Sequence, residues 1–125
     1  HHMPVGAFII RPDSTRAEAI DLVADPGGST HLASLRRALD CRFVDRVTLE
    51  AGVVDAWLDD EYLYSRAEPN ELGTNVFRAY GVDFGDGILR GPVVFAGHDG
   101  AGRMRSLTER EQAVLRNAVR QARVM

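Results

Sequence analysis

No lysine occurs in the 125-residue chain, and cysteine (Cys41) and tryptophan (Trp57) occur once each. A Walker-type phosphate loop requires its lysine, so nucleotide binding of that kind is excluded. One thiol can neither close an intramolecular disulfide nor build a thiolate metal cluster. This fits a reducing compartment, and cytoplasmic is the expected location. No stretch approaches the roughly 18 apolar residues of a membrane span, and no charged segment followed by an apolar run opens the chain. Membrane insertion and secretion are therefore not expected. His1, His2 and Met3 read as a tag remnant and an initiator methionine, leaving residues 4–125 as a single domain.

What is present is an ordinary globular composition, 45% hydrophobic and 26% charged, long enough to bury one core. All fifteen basic residues are arginine, which a GC-rich genome explains more simply than guanidinium chemistry. Residues 1–102 carry nine Arg against sixteen Asp and Glu (−7), whereas residues 103–125 carry six Arg against two Glu (+4). A polyanion-binding tail has such asymmetry, and so does a C-terminal helix tuned to its macrodipole.

Hydrophobic periodicity sets the expected elements. Val5-Gly6-Ala7-Phe8-Ile9-Ile10 reads as a central strand, and residues 16–23, ambiguous between helix and strand, as its hairpin partner. After the break at Pro26-Gly27-Gly28, Ser29 or Thr30 is the expected cap of a helix with Leu32, Leu35 and Leu39 on one side. Residues 42–49 and 53–58 form a second hairpin, with Asp45 interrupting the apolar face of the first strand. Residues 59–75 read as a polar loop, Val76 to Tyr80 as a short helix ending at Gly81, and residues 92–96 as a buried last strand. Ser106 and Glu109, or Thr108 and Glu111, have capping-box spacing, and they open a helix whose apolar face is Leu107, Val114, Leu115, Ala118, Val119 and Ala122. The expected fold is α+β: a small mixed or antiparallel sheet of about five strands with two or three helices, the C-terminal helix packed on the sheet.

The order of short motifs points to a family. Pro69-Asn70-Glu71-Leu72-Gly73-Thr74 is similar to a Pro-Asn-x-x-(Ala or Gly)-Thr signature that follows an acidic turn. Leu89-Arg90-Gly91-Pro92-Val93-Val94-Phe95-Ala96-Gly97 resembles that family's final strand, and Ser106-Leu107-Thr108 its last helix start. Over roughly residues 4–115 the chain resembles the domain of unknown function 3846, found in phages, plasmids and actinobacteria. About residues 75–88 form a longer insertion than the family pattern. The resemblance implies a compact α+β fold and supplies no activity, catalytic residue or cofactor.

The candidate chemistry is sparse. Asp59, Asp60 and Glu61 are carboxylates in a row, yet neighbouring residues on a strand point to opposite faces and the calcium-loop pattern is missing, so no metal or other cofactor is expected. His98 beside Asp99 suggests a general base with its carboxylate, but sequence neighbours rarely orient one another and no nucleophile sits in an elbow motif. His31 reads as a surface residue. Trp57, Tyr62, Tyr64, Phe77, Tyr80 and Phe84 concentrate aromatic surface in mid-chain, for a docking or stacking face or for the core.

The favoured reading is a non-enzymatic binding or regulatory accessory protein with its contact surface in residues 59–80, centred on Asp60, Tyr62, Tyr64, Asn70 and Thr74. Its partner would be a protein or small molecule rather than nucleic acid, and homo-oligomerisation is compatible with it. The alternatives are a nucleic-acid binder using Arg103, Arg105, Arg110, Arg116, Arg120 and Arg123, and a small hydrolase using His98 and nearby carboxylates. Within the favoured reading Asn70 fixes the loop through bonds to backbone.

Overall fold

The computed structural model describes residues 4–28, 30–50, 54–61, 66–83 and 85–125. Two local hairpins supply four strands: β1 (Val5–Ile10) with β2 (Glu18–Leu22), and β3 (Val44–Glu50) with β4 (Val54–Asp59). Residues 16–23 thus resolve to a strand. A fifth strand, β5 (Val93–His98), inserts between the hairpins and pairs antiparallel with β1 and β4. The sheet order is β2-β1-β5-β4-β3, so the strand expected last in the chain lies at the sheet centre. A two-residue strand, β6 (Met104–Arg105), folds back on the C-terminal half of β5 along the edge that β1 leaves free.

Both faces of this sheet are covered. On one, helices α2 (Glu71–Ala79) and α3 (Glu109–Arg123) bury Val54, Ala56, Leu58, Val93 and Phe95 against Val76, Phe77, Leu115 and Val119. On the other, α1 (Leu32–Leu39) places Leu35 and Leu39 over Ala7, Ile9, Val94 and Ala96. The alternation Asp55/Trp57 on β4 therefore faces a second core, where a single-layer reading would place it in water. Asp45 does no harm to the fold because β3 is an edge strand and its carboxylate is exposed, accepting from the Arg46 amide at 2.9 Å.

Helix ends follow local chemistry, with one departure from expectation. At α3 the Thr108 and Glu111 pair forms the capping box, while Ser106 instead accepts from the Gly6 amide at 2.8 Å, tying α3 to β1. At α1 the cap position is His31, whose side chain makes no cap bond. Asp25 does the capping from upstream, accepting from the Leu32 and Ala33 amides at 3.0 Å and from the Thr30 hydroxyl at 2.6 Å. The Thr30 bond first, then the Ala33 amide, hold the Asp25 carboxyl below its ordinary pKa. Thr30 thus acts through Asp25 rather than as the cap, and Ser29 lies outside the described residues.

Candidate functional site

The region expected to bind begins in an exposed turn and ends in the protein interior. Asp60 is exposed, its amide bonded to the Phe43 carbonyl at 2.9 Å. Tyr62 and Tyr64 lie outside the described residues. Asn70 is 0% exposed and caps α2. Its Oδ1 accepts from the Gly73 amide at 2.8 Å, and its Nδ2 donates to the carbonyls of Ile10 at 3.0 Å and Gly91 at 2.8 Å. The Thr74 hydroxyl donates to the Asn70 carbonyl at 2.8 Å and accepts from the Leu89 amide at 2.9 Å. The side-chain polar groups of both residues are thereby turned on the main chain, and they do not converge with Asp60 on a binding surface.

These bonds explain the two sequence signatures together. Asn70 N–H donates to Leu89 at 2.8 Å, Gly91 N–H donates to Glu68 at 2.9 Å, and Pro69 bridges Arg90. The Pro-Asn-x-x-Gly-Thr motif and the Leu-Arg-Gly-Pro motif are the two sides of one junction that locks α2 to the entrance of β5. Gly91 has φ +80° there, a left-handed conformation suited to glycine. At Gly73 a Cβ would approach the Asn70 side chain to 2.9 Å. The insertion begins inside α2 and contributes Val76 and Phe77 to the core, Phe77 meeting Phe95 edge-on at 6.2 Å.

The mid-chain aromatics do not share one surface. Phe77 packs under α3, whereas Trp57 lies on the opposite face of the sheet beside α1; Phe84 lies outside the described residues.

The cationic candidates are divided as well. Arg105 is clamped by Glu111 through two bonds of 2.7 and 2.9 Å, which hold the Glu111 carboxyl down at about 2. Arg103 pairs with Asp99 at 3.1 Å. Arg110, Arg116, Arg120 and Arg123 are exposed on α3, with Arg123 also donating to the Thr15 carbonyl at 2.6 Å.

His98 does have a carboxylate partner, but it is not Asp99. His98 Nδ1 lies 2.6 Å from Oδ2 of Asp55, which is 1% exposed, and Asp55 Oδ1 accepts from the Thr48 hydroxyl at 3.2 Å. Asp99 serves its own turn, accepting from the Ala101 and Arg103 amides at 2.9 Å. The clue to Asp55 was its register with Trp57: an acid sharing a strand face with tryptophan is buried only if it has a partner. The pair resembles the base and orienter of a hydrolytic site, but Thr48 is turned toward the carboxylate and not the imidazole. The Cys41 thiol, pushed up to about 11 first by burial and then by Asp59 and Asp40, is protonated at neutral pH and a weak nucleophile.

Besides a mostly apolar cleft of about 250 Å³ between α3 and the β1–β2 hairpin, lined by Phe8, Ala17, Leu115 and Val119 among others, two further concave regions bear on the candidates. An open one of about 650 Å³ is lined by Arg11, Pro12, Asp13, Asp40, Glu68 and Pro69, among others, where the 66–69 segment meets the β1–β2 turn and the end of α1. Arg11 there is paired with Glu18 at 3.0 Å, so Asp13, Asp40 and Glu68 leave the surface acidic. A narrower cleft lies between α1, β4 and β6 and includes His31 and Trp57. Among the described residues no group of three potential metal ligands occurs, and no helix is long and apolar enough to cross a membrane.

Residues 5–120 match the family model described as Domain of unknown function (DUF3846). No curated protein and no solved structure matches the chain.

Proposed function

Because the chain belongs to the DUF3846 family, whose description assigns no activity, we propose from its geometry that it is a non-enzymatic binding module with an accessory or regulatory role. The observation that carries this reading is the acidic, proline-rimmed concavity at Asp13, Asp40, Glu68 and Pro69. Of its lining only Glu68 and Pro69 fall within residues 59–80, so this proposed surface is a different one from that expected around Asp60, Tyr62, Tyr64, Asn70 and Thr74. A surface with this charge suits a basic segment of a protein partner. A cytoplasmic setting in a phage, plasmid or actinobacterial context belongs to the same proposal.

Amide NMR of the chain titrated with an oligo-arginine peptide tests it. Shifts concentrated at Asp13, Asp40 and Glu68, leaving the acidic loop at Asp83 and Asp86 unmoved, support the reading; shifts spread over all acidic residues, or none, refute it. The exposed row Arg116, Arg120 and Arg123 on α3 favours a second reading, nucleic-acid binding. That reading predicts affinity falling steeply with salt.

A further inference from the structure

The cleft between α1 and the sheet stands apart from the acidic concavity and has the opposite chemistry. It encloses about 270 Å³ and is lined by His31, Leu32 and Leu35 from the α1 side, Arg46 and Trp57 from the hairpin, and Met104 from β6, with Arg103 at its edge. That volume falls just below the ~300 Å³ at which small-molecule sites begin. Two residues of the lining, His31 and Trp57, each carry a buried side-chain nitrogen without a hydrogen-bond partner, Nδ1 and Nε1 respectively. His31 is only 9% exposed. Buried polar atoms are nearly always paired, so two orphans on one cleft mark a missing partner.

The donor set decides the partner's chemistry. An indole N–H and a guanidinium can only donate, and an imidazole nitrogen can donate in the appropriate tautomer. A partner satisfying them must therefore be rich in acceptors. Arg46 adds charge: its Cζ stands 5.7 Å from the centroid of the Trp57 ring, and it forms no ion pair among the described residues. Arg103 is already matched by Asp99, and the nearby Asp25 carboxylate is occupied by Thr30, Leu32 and Ala33. Arg46 is thus the cation of the lining that has no ion-pair partner among the described residues. Leu32, Leu35 and Met104 leave room for an apolar body behind the charged group.

We infer that this cleft binds a small organic oxyanion, a phosphate monoester or carboxylate with a short apolar body, through Arg46, Trp57 Nε1 and His31 Nδ1. The inference does not depend on the acidic concavity or on the protein-binding reading.

Trp57 is the only tryptophan of the chain, so its fluorescence reports on this cleft alone. The wild type is titrated at constant ionic strength with butyl phosphate, with pentanoate and with neutral pentanol, and the phosphate and carboxylate arms identify which oxyanion class is preferred. The expected result is a saturable change with at least one anion, at a half-saturation at least tenfold below any seen for pentanol. Arg46 is exposed, so Arg46→Gln should melt at the wild-type temperature and raise that half-saturation at least tenfold. His31→Phe, which keeps an aromatic ring at the position and removes Nδ1, should weaken saturation at least tenfold. Equal responses to pentanol, an unchanged half-saturation in a folded Arg46→Gln, or no saturable response to either anion would overturn the assignment.

Discussion

Asn70 shows how much one side chain can hold. Its amide joins the end of β1, the entrance to β5 and the first turn of α2 through three bonds. Asn70→Ala strands two carbonyls and one amide in the interior, where each unsatisfied group costs about 1–3 kcal/mol without strict additivity. The expected loss is about 3 kcal/mol, read by denaturant unfolding. Asn70→Asp discriminates the cause: an aspartate can still accept from Gly73 but cannot donate to Ile10 or Gly91, so it should destabilise at least as much as alanine. A stable aspartate variant would contradict the bonding scheme. The sequence made Asn70 legible as a structural residue because asparagine after proline is a capping signal. Its two distant acceptors were not legible, because Ile10 lies 60 positions away and Gly91 21. Asp55 was missed for the same reason, since His98 lies 43 positions away, whereas Asp25 was missed because it caps α1 from seven and eight residues upstream, outside the usual cap position.

At the scale of elements, α3 combines an apolar stripe with an ionic clamp, and the two make separable contributions. Leu115 is buried under the sheet, and Leu115→Ala should cost about 2–5 kcal/mol. Replacing Arg116, Arg120 and Arg123 together with Gln removes exposed charges and should cost no more than ~1 kcal/mol per residue. Denaturant unfolding of the two variants measures both costs. A salt series with single- and double-stranded DNA and RNA on the same proteins decides the second functional reading: salt-sensitive binding that vanishes in the triple variant would establish it. The clamp at Glu111 is a pH-dependent element. Its folded pKa of about 2 lies below the ordinary 4.5, so its stabilisation is fully present above pH 4.5 and is lost as pH falls from 4.5 towards 2. The amount lost is on the order of 3 kcal/mol. Glu111→Gln keeps a residue able to complete the capping box and should flatten the acid limb of stability against pH in that window. The stripe and the capping box were readable from period and spacing. The clamp was not, because Arg105 reaches Glu111 from β6, a strand too short to leave a pattern.

The whole molecule is a two-sided sheet whose centre is completed late in the chain. The local hairpins were visible as alternation and turn residues, but the placement of β5 between them is a long-range event that alternation cannot express. Its consequence, burial of both faces of β4, is what turns Asp55 and Trp57 inward and creates the cleft beside α1. The proposed surface was only partly legible: two of its lining residues, Glu68 and Pro69, lie in the polar 59–75 segment, whereas that segment's most recognisable residues, Asn70 and Thr74, are committed to the fold. The central claim is that fold-holding and partner-holding residues are separate sets. It is tested by comparing Asn70→Ala with the double variant Asp13→Arg/Glu68→Arg in one measurement, oligo-arginine peptide binding by fluorescence anisotropy alongside the melting temperature. The account predicts that Asn70→Ala melts far lower yet binds as the wild type does at a temperature where it is folded, and that the double variant melts unchanged and loses binding. Loss of binding in a folded Asn70→Ala protein, with undiminished binding by the charge-reversed variant, would contradict it.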